Sequence, residues 1–171
     1  MSERWVWRLH KRPEGMDFKP AFEFNSEPIP ELASGELLIK NIYIGMDAGT
    51  RNWLHPREDG FDVPLPLGST MIGILVGTIE ESNHPAYTKG SLVRAYGQWA
   101  DYSIINPAES RVFVVDPDTD DIRQYIGLIG PSGWTSYFGV LDVGAGLPAL
   151  GQLAVAAELR ACGQLGVGAR G

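Results

Sequence analysis

Bulky and polar side chains alternate along Trp5-Val6-Trp7-Arg8-Leu9-His10, the two-residue period of a strand. The same alternation runs through Ala21-Phe22-Glu23-Phe24-Asn25-Ser26-Glu27. It stops at Pro28-Ile29-Pro30, because proline has no N–H to give a ladder. Gly35-Glu36 opens a third strand, Leu37 to Ile44, which ends at Gly45. A loop rich in glycine, proline and charge follows, from about Asp47 to Pro66. Met71 to Glu80 reads as the next strand, and its glycines, Gly73 and Gly77, predict bulges or the close approach of another backbone. Beyond the turn Lys89-Gly90-Ser91 come Leu92 to Tyr96, then Trp99 to Ile105 entered through Gly97 and Gln98. Arg111 to Val115 is the last strand, stopped by Asp116-Pro117. Short strands separated by turn signals predict a mainly β fold, a compact barrel.

After Asp121 the period lengthens. Ile122, Tyr125, Ile126 and Ile129 have helical spacing, and Thr135 to Leu141 reads as a short helix entered through Gly130-Pro131-Ser132-Gly133. Pro148 is placed to start a third helix, Ala149 to Ala161, with Gly163 as its stop. The sequence carries no fixed-period repeat.

The length, 171 residues, suits one domain with an appendage, and a hydrophobic content of 44% is enough to build its core. The formal net charge of −7 argues against nucleic acid or an anionic membrane as partner, since both call for a basic face. A single cysteine, Cys162, leaves no internal disulfide. The start of the chain lacks a charged-then-apolar leader, and no apolar run nears the roughly 20 residues of a membrane span. The expectation is a soluble cytoplasmic protein.

Candidate chemistry is sparse. Gly166-Val167-Gly168-Ala169-Arg170-Gly171 matches the dinucleotide fingerprint in letters, but that motif works only between a strand and a helix, so no phosphate loop is expected there. Cys162, His10, His55 and His84 are scattered, and no zinc or other metal site is expected from them. Asp116, Asp118, Asp120 and Asp121 lack the glycine and closing glutamate of a calcium loop and read as a solvated turn. Asp47 and Arg51, four apart after a strong strand, read as a structural polar pair that fixes the loop rather than as catalytic groups.

Five segments in order carry a resemblance: Gly35-Glu36, Tyr43 to Arg51, Leu67-Gly68 to Gly77, Gly97-Gln98-Trp99-Ala100-Asp101-Tyr102, and Gly133-Trp134-Thr135-Ser136-Tyr137-Phe138-Gly139. Over about residues 5 to 144 the chain resembles the medium-chain reductases of the zinc-independent prostaglandin reductase / alkenal reductase branch. The resemblance implies a GroES-like barrel followed by a Rossmann domain. It also implies NADPH-dependent reduction of the carbon–carbon double bond of α,β-unsaturated aldehydes and ketones, without a metal. It points to Thr135 and Ser132 as cofactor-binding and to Gly49, Trp53 and Trp134 as substrate-side residues, and it names no catalytic side chain.

The departures shape the expectation. Asp47-Ala48-Gly49-Thr50-Arg51 stands where the branch has Asp-Pro-Tyr-Met-Arg, so the aromatic is missing, and Ser69-Thr70 follows the Leu-Gly pair. Past Gly144 the branch continues with a strand and an Ala/Gly-rich turn, whereas residues 145–171 here are rich in Gly, Ala and Leu. The expected division is therefore a barrel over 1–121, a helical connection over 122–144 towards a missing nucleotide-binding domain, and an atypical tail over 145–171. On that reading the chain is the substrate-side part of an enone or enal reductase, incomplete by itself and binding NADPH weakly or not at all. The alternative is a free-standing small-ligand or protein-interaction barrel without catalysis. Trp134, Tyr137, Phe138 and Leu141 would offer an apolar surface for homo-oligomers.

Overall fold

The computed structural model describes residues 3–55 and 63–143. The chain divides into two compact units, Met1–Pro117 and Asp118–Gly171.

In the first unit, β1 (Glu3–Leu9) and β2 (Phe22–Pro28) form an antiparallel pair in which Trp7 faces Phe24. The five remaining strands are β3 (Leu37–Ile44), β4 (Ile72–Ser82), β5 (Leu92–Gln98), β6 (Tyr102–Ile105) and β7 (Phe113–Val114). They make a second antiparallel sheet in the order β6-β3-β4-β5-β7. The expected barrel is corrected by this topology: the two sheets are separate and do not close. β1 meets the larger structure at the corner before β6, in an isolated bridge from Val6 to Ala100, and at the corner before β4, in one from Arg8 to Thr70, with backbone hydrogen bonds around each. No continuous ladder runs from one sheet to the other among the described residues. At the far edge β7 pairs over only two residues, Val114 with Val93 and Phe113 with Arg94.

Two apolar clusters hold the unit. Leu37, Ile39, Leu75, Ile79, Val93, Ala95 and Ile105 form one, inside the five-stranded sheet. Leu9, Ala21, Leu54 and Met71 form the other, under the hairpin. Leu37, Leu38 and Ile39 are all buried, against strict alternation, because the pairing of β3 with β4 shifts register between Leu38 and Ile39 and again after Asn41. Asn41 is opposite Gly77, where a Cβ would collide with the Lys40 carbonyl. The close backbone approach expected of the β4 glycines is thus observed.

Several boundaries differ from expectation. β5 runs on through Gly97 to Gln98, with Leu75 filling the space where a Gly97 side chain would stand. Trp99 begins a corner rather than a strand. Within the loop after β3, Ala48–Trp53 winds into a 3-10 turn capped by Asp47, and a second 3-10 turn, Lys19–Ala21, precedes β2.

In the second unit the helical spacing from Ile122 yields one 3-10 turn, Ile122–Tyr125. Asp121 caps it by accepting the Arg123 N–H (3.0 Å) and pairs with the Arg123 guanidinium (2.8 Å), in keeping with a solvated turn at the acidic cluster. Helix α1, Pro131–Phe138, starts earlier than expected, with proline in its first turn, and continues as a π-helical turn over Gly139–Val143. The predicted helix over 149–161, the glycine motif at 166–171, Cys162 and the tail over 145–171 lie outside the described residues. Among the described residues no helix is long and apolar enough to cross a membrane.

Candidate functional site

The first unit contains a mainly apolar chamber of about 750 Å³. Trp7 from β1, Phe22 from β2, Ile44 from the end of β3, Leu54, Met71 and Trp99 supply its apolar lining. The alternation of β1 explains how Trp7 gets there: Val6 turns fully into the core, which leaves Trp7 on the opposite face. Trp5, Phe24 and Trp7 stack in succession on that face, with ring centroids 5.0 and 4.8 Å apart.

The backbones of three lining residues close a ring of hydrogen bonds. The Trp7 N–H donates to the Trp99 carbonyl (2.8 Å), the Trp99 N–H to Met71 (2.7 Å) and the Met71 N–H to Trp7 (3.0 Å). The corner carrying Trp99 is braced from β3. Asn41 Nδ2 donates to the Ala100 carbonyl (2.8 Å) and to Ser103 Oγ (2.9 Å), and the fully buried Ser103 hydroxyl accepts the Gln98 N–H (3.0 Å). The Trp99 indole lies over Gly73, where a Cβ would come within 2.8 Å of Nε1. That indole N–H is buried without a hydrogen-bond partner, an uncommon and costly state for a donor. On the opposite side Arg12 gathers the loop, donating to the carbonyls of Leu54 (2.8 Å) and Leu65 (2.7 Å). Leu54, the buried residue of this loop, is thereby fixed as the chamber wall.

The mouth is polar. Lys19, Asp47, Thr50 and Arg51 all border the chamber. The Asp47 carboxylate accepts the Gly49 N–H (2.6 Å), and the Thr50 hydroxyl donates to the Asp47 carbonyl (2.6 Å). Arg51 reaches the Gly15 carbonyl and Met16 Sδ, both at 3.1 Å, and its guanidinium lies 5.1 Å from the Phe18 ring centroid. The expected Asp47–Arg51 pair thus resolves into two separate sets of contacts: Asp47 caps the turn within the loop, and Arg51 ties the loop to the Gly15–Phe18 segment. Chemically the chamber can strip water from an apolar molecule and orient it. Its described lining holds no nucleophile–base pair.

Of the other residues singled out by sequence, Gly49 and Trp53 belong to the first unit and are not among the lining residues. Gly49 is in the 3-10 turn at the mouth, and Trp53 is half-buried, its carbonyl accepting the Leu65 N–H (2.8 Å). Ser132, Trp134 and Thr135 belong to the second unit, on α1. Trp134, Tyr137, Phe138 and Leu141 are about half exposed. The Thr135 hydroxyl donates to the Pro131 carbonyl (2.8 Å), which leaves its lone pairs for an incoming N–H donor. Ser132 is exposed in the first turn, which carries no acidic residue. Trp7, Phe22, Met71 and Trp99 were missed. The signal for Trp7 was present: β1 carries bulky side chains on both faces, so neither face is an ordinary solvated one. Among the described residues no three His, Cys, Asp or Glu come together as a metal site.

Comparison with known proteins bears on these placements. Residues 5–113 match the family described as the N-terminal domain of oxidoreductase. The chain is 30% identical over 143 residues to the NADPH-dependent curcumin reductase of Escherichia coli (strain K12), covering 84% of this chain and 40% of that protein. It is 31% identical over 138 residues to prostaglandin reductase 1 of Oryctolagus cuniculus, covering 80% and 37%. The crystal structure of CurA in complex with NADPH from Vibrio vulnificus superposes with a TM-score of 0.69 at 29% identity, covering 82% of this chain and 40% of that one. The chain therefore spans well under half the length of these relatives.

Proposed function

The chain belongs to the zinc-independent medium-chain reductases, the oxidoreductase family whose N-terminal domain it matches, and from that membership we propose that its chamber is the substrate side of an NADPH-dependent reductase site. The substrate class is α,β-unsaturated ketones and aldehydes. The observation that carries the reading is the chamber itself, an apolar cleft walled by Trp7, Phe22, Met71 and Trp99 with polar groups confined to its mouth. An enone is flat, neutral and largely apolar, so burial against these walls is its main source of affinity. The protein's task in such a reaction is to hold and desolvate the substrate; hydride donation is the nicotinamide's chemistry when it is bound.

Ser132 and Thr135 are the residues that would hold the nicotinamide end. Both offer hydroxyls on α1, and Thr135 is set to accept from a carboxamide N–H. Gly49 stands where the branch carries an aromatic, in the 3-10 turn between the lining residues Ala48 and Thr50. A second reading, a small-ligand module without catalysis, draws on the chamber being walled by residues of the first unit alone.

The test is to mix the purified chain with dec-3-en-2-one and NADPH, following nicotinamide absorbance and tryptophan emission together. Oxidation of NADPH with quenching supports the reductase reading. Quenching without oxidation supports the chamber as an enone site under either reading, and absence of quenching removes both.

A further inference from the structure

We propose that the outer edge of β2 docks the same strand of a second copy of this chain, in antiparallel pairing about a two-fold axis at Asn25. The hydrogen bonds of β1 fix which groups of β2 face outward. Trp5, Trp7 and Leu9 give their backbone groups to the corners. The Trp5 carbonyl accepts the Asp101 N–H (3.1 Å), the Trp7 N–H donates to the Trp99 carbonyl (2.8 Å) and the Leu9 N–H to the Ser69 carbonyl (2.9 Å). Successive residues of a strand turn their backbone groups to opposite edges, so Arg4, Val6 and Arg8 bond across to Glu27, Asn25 and Glu23. Phe24 and Ser26 are left with their N–H and carbonyl groups on the free edge. Among the described residues those groups meet no backbone partner. Both residues are exposed, and the edge lacks the usual guards against pairing. Its register with β1 has no bulge, it carries no lysine, and its one proline, Pro28, is its last residue.

A second β2 complements this edge. With Asn25 on the axis, Phe24 faces Ser26 of the second copy, and the two exchange both backbone hydrogen bonds, once at each of the symmetry-related pairs. Glu23 faces Glu27 of the second copy. That carboxylate is shared by Arg4 and Arg8, so the exposed acid meets a cluster of net positive charge. On the other face the half-exposed Trp5–Phe24–Trp7 stack runs on, across Ser26, into the stack of the second copy. One strand of 7 residues covers less than the roughly 800 Å² per partner of a stable interface, so the dimer is weak and depends on concentration.

Sedimentation of the full chain over about 10 μM to 1 mM should show monomer giving way to dimer. Ser26→Pro removes an outward N–H that the hairpin does not use, and should weaken the dimer about tenfold with the far-ultraviolet circular dichroism unchanged. A cysteine pair tests the register without disturbing the backbone. In a Cys162→Ser background, Asn25→Cys meets its own counterpart across the axis and should be cross-linked to dimer by oxidised glutathione. Glu23→Cys faces Glu27 instead and should cross-link far more slowly. A monomer throughout the concentration range overturns the proposal. So does a dimer that Ser26→Pro leaves intact and that Asn25→Cys traps no faster than Glu23→Cys, because association then belongs to another surface.

Discussion

Arg4 and Glu27 face each other across the β1–β2 hairpin, Nη2 to Oε1, at 2.7 Å, and the arginine is almost wholly buried. Glu27 also accepts from Arg8, while Arg4 reaches on to Gln98 Oε1 (2.5 Å) and the Tyr102 carbonyl (3.3 Å). The pair therefore fastens the two-stranded sheet to the five-stranded one, where backbone ladders do not. Glu27→Gln removes the charge that both guanidiniums share and should destabilise the fold by about 2–3 kcal/mol. Chemical denaturation would register the loss, with Glu23→Gln, at an exposed contact with His10 Nδ1, changing little.

The same pair makes stability depend on acid. Burial pushes the Glu27 carboxyl up, but hydrogen bonds from Arg8 and Arg4, with their charges, outweigh it and hold the group below the usual glutamate range. A carboxylate lowered in the folded state contributes its full stabilisation above the unfolded value, about 4.3, and loses it as pH falls through the folded value. Denaturation midpoints of the wild-type chain should fall below about pH 4 more steeply than those of Glu27→Gln.

Arg12 should matter as much as a core residue, although it is half-exposed. Replacing it with methionine keeps most of the apolar stem and withdraws the donors from the Leu54 and Leu65 carbonyls. The expected cost is about 2 kcal/mol. Affinity for dec-3-en-2-one should drop with it, because Leu54 is a chamber wall. An Arg12→Met protein with wild-type stability and affinity would show that the loop is fixed by other means.

Gly73→Ala is predicted to disturb the chamber more than the fold. The added Cβ would stand 2.8 Å from Trp99 Nε1 and 2.9 Å from the Gly45 carbonyl. Overpacking of this kind costs about 1–3 kcal/mol, and the indole is the part able to move. Tryptophan emission should shift and enone binding weaken, while the far-ultraviolet circular dichroism of the sheets stays as in wild type.

The sequence made some of this structure legible. β3 was readable to its ends because Gly35 and Gly45 bracket an apolar run. The Gly73 and Gly77 approaches followed from glycines inside a strand pattern. Barrel closure was not readable, because it depends on whether β1 forms a ladder with β4 and β6, and it meets instead the corners before them, in isolated bridges and local backbone hydrogen bonds. Trp99 was assigned to a strand since its neighbours alternate. It turns a corner because Asn41, some sixty residues earlier, binds the Ala100 carbonyl. The chamber was illegible for the same reason: its walls come from five separated stretches of chain. Asp47 and Arg51 were found by spacing, yet their partners, Gly49 for one and Gly15 with Met16 for the other, are set by how the loop packs.

The central claim is that the chamber takes the enone. The chain has 5 tryptophans, each with an indole N–H that gives its own nuclear magnetic resonance signal. Titration of dec-3-en-2-one into the nitrogen-labelled chain should move the signals of Trp7 and Trp99, which line the chamber, and leave that of Trp53 in place. Trp7 and Trp99 unmoved while another indole signal shifts would contradict the account and return the substrate site to residues that do not line the chamber.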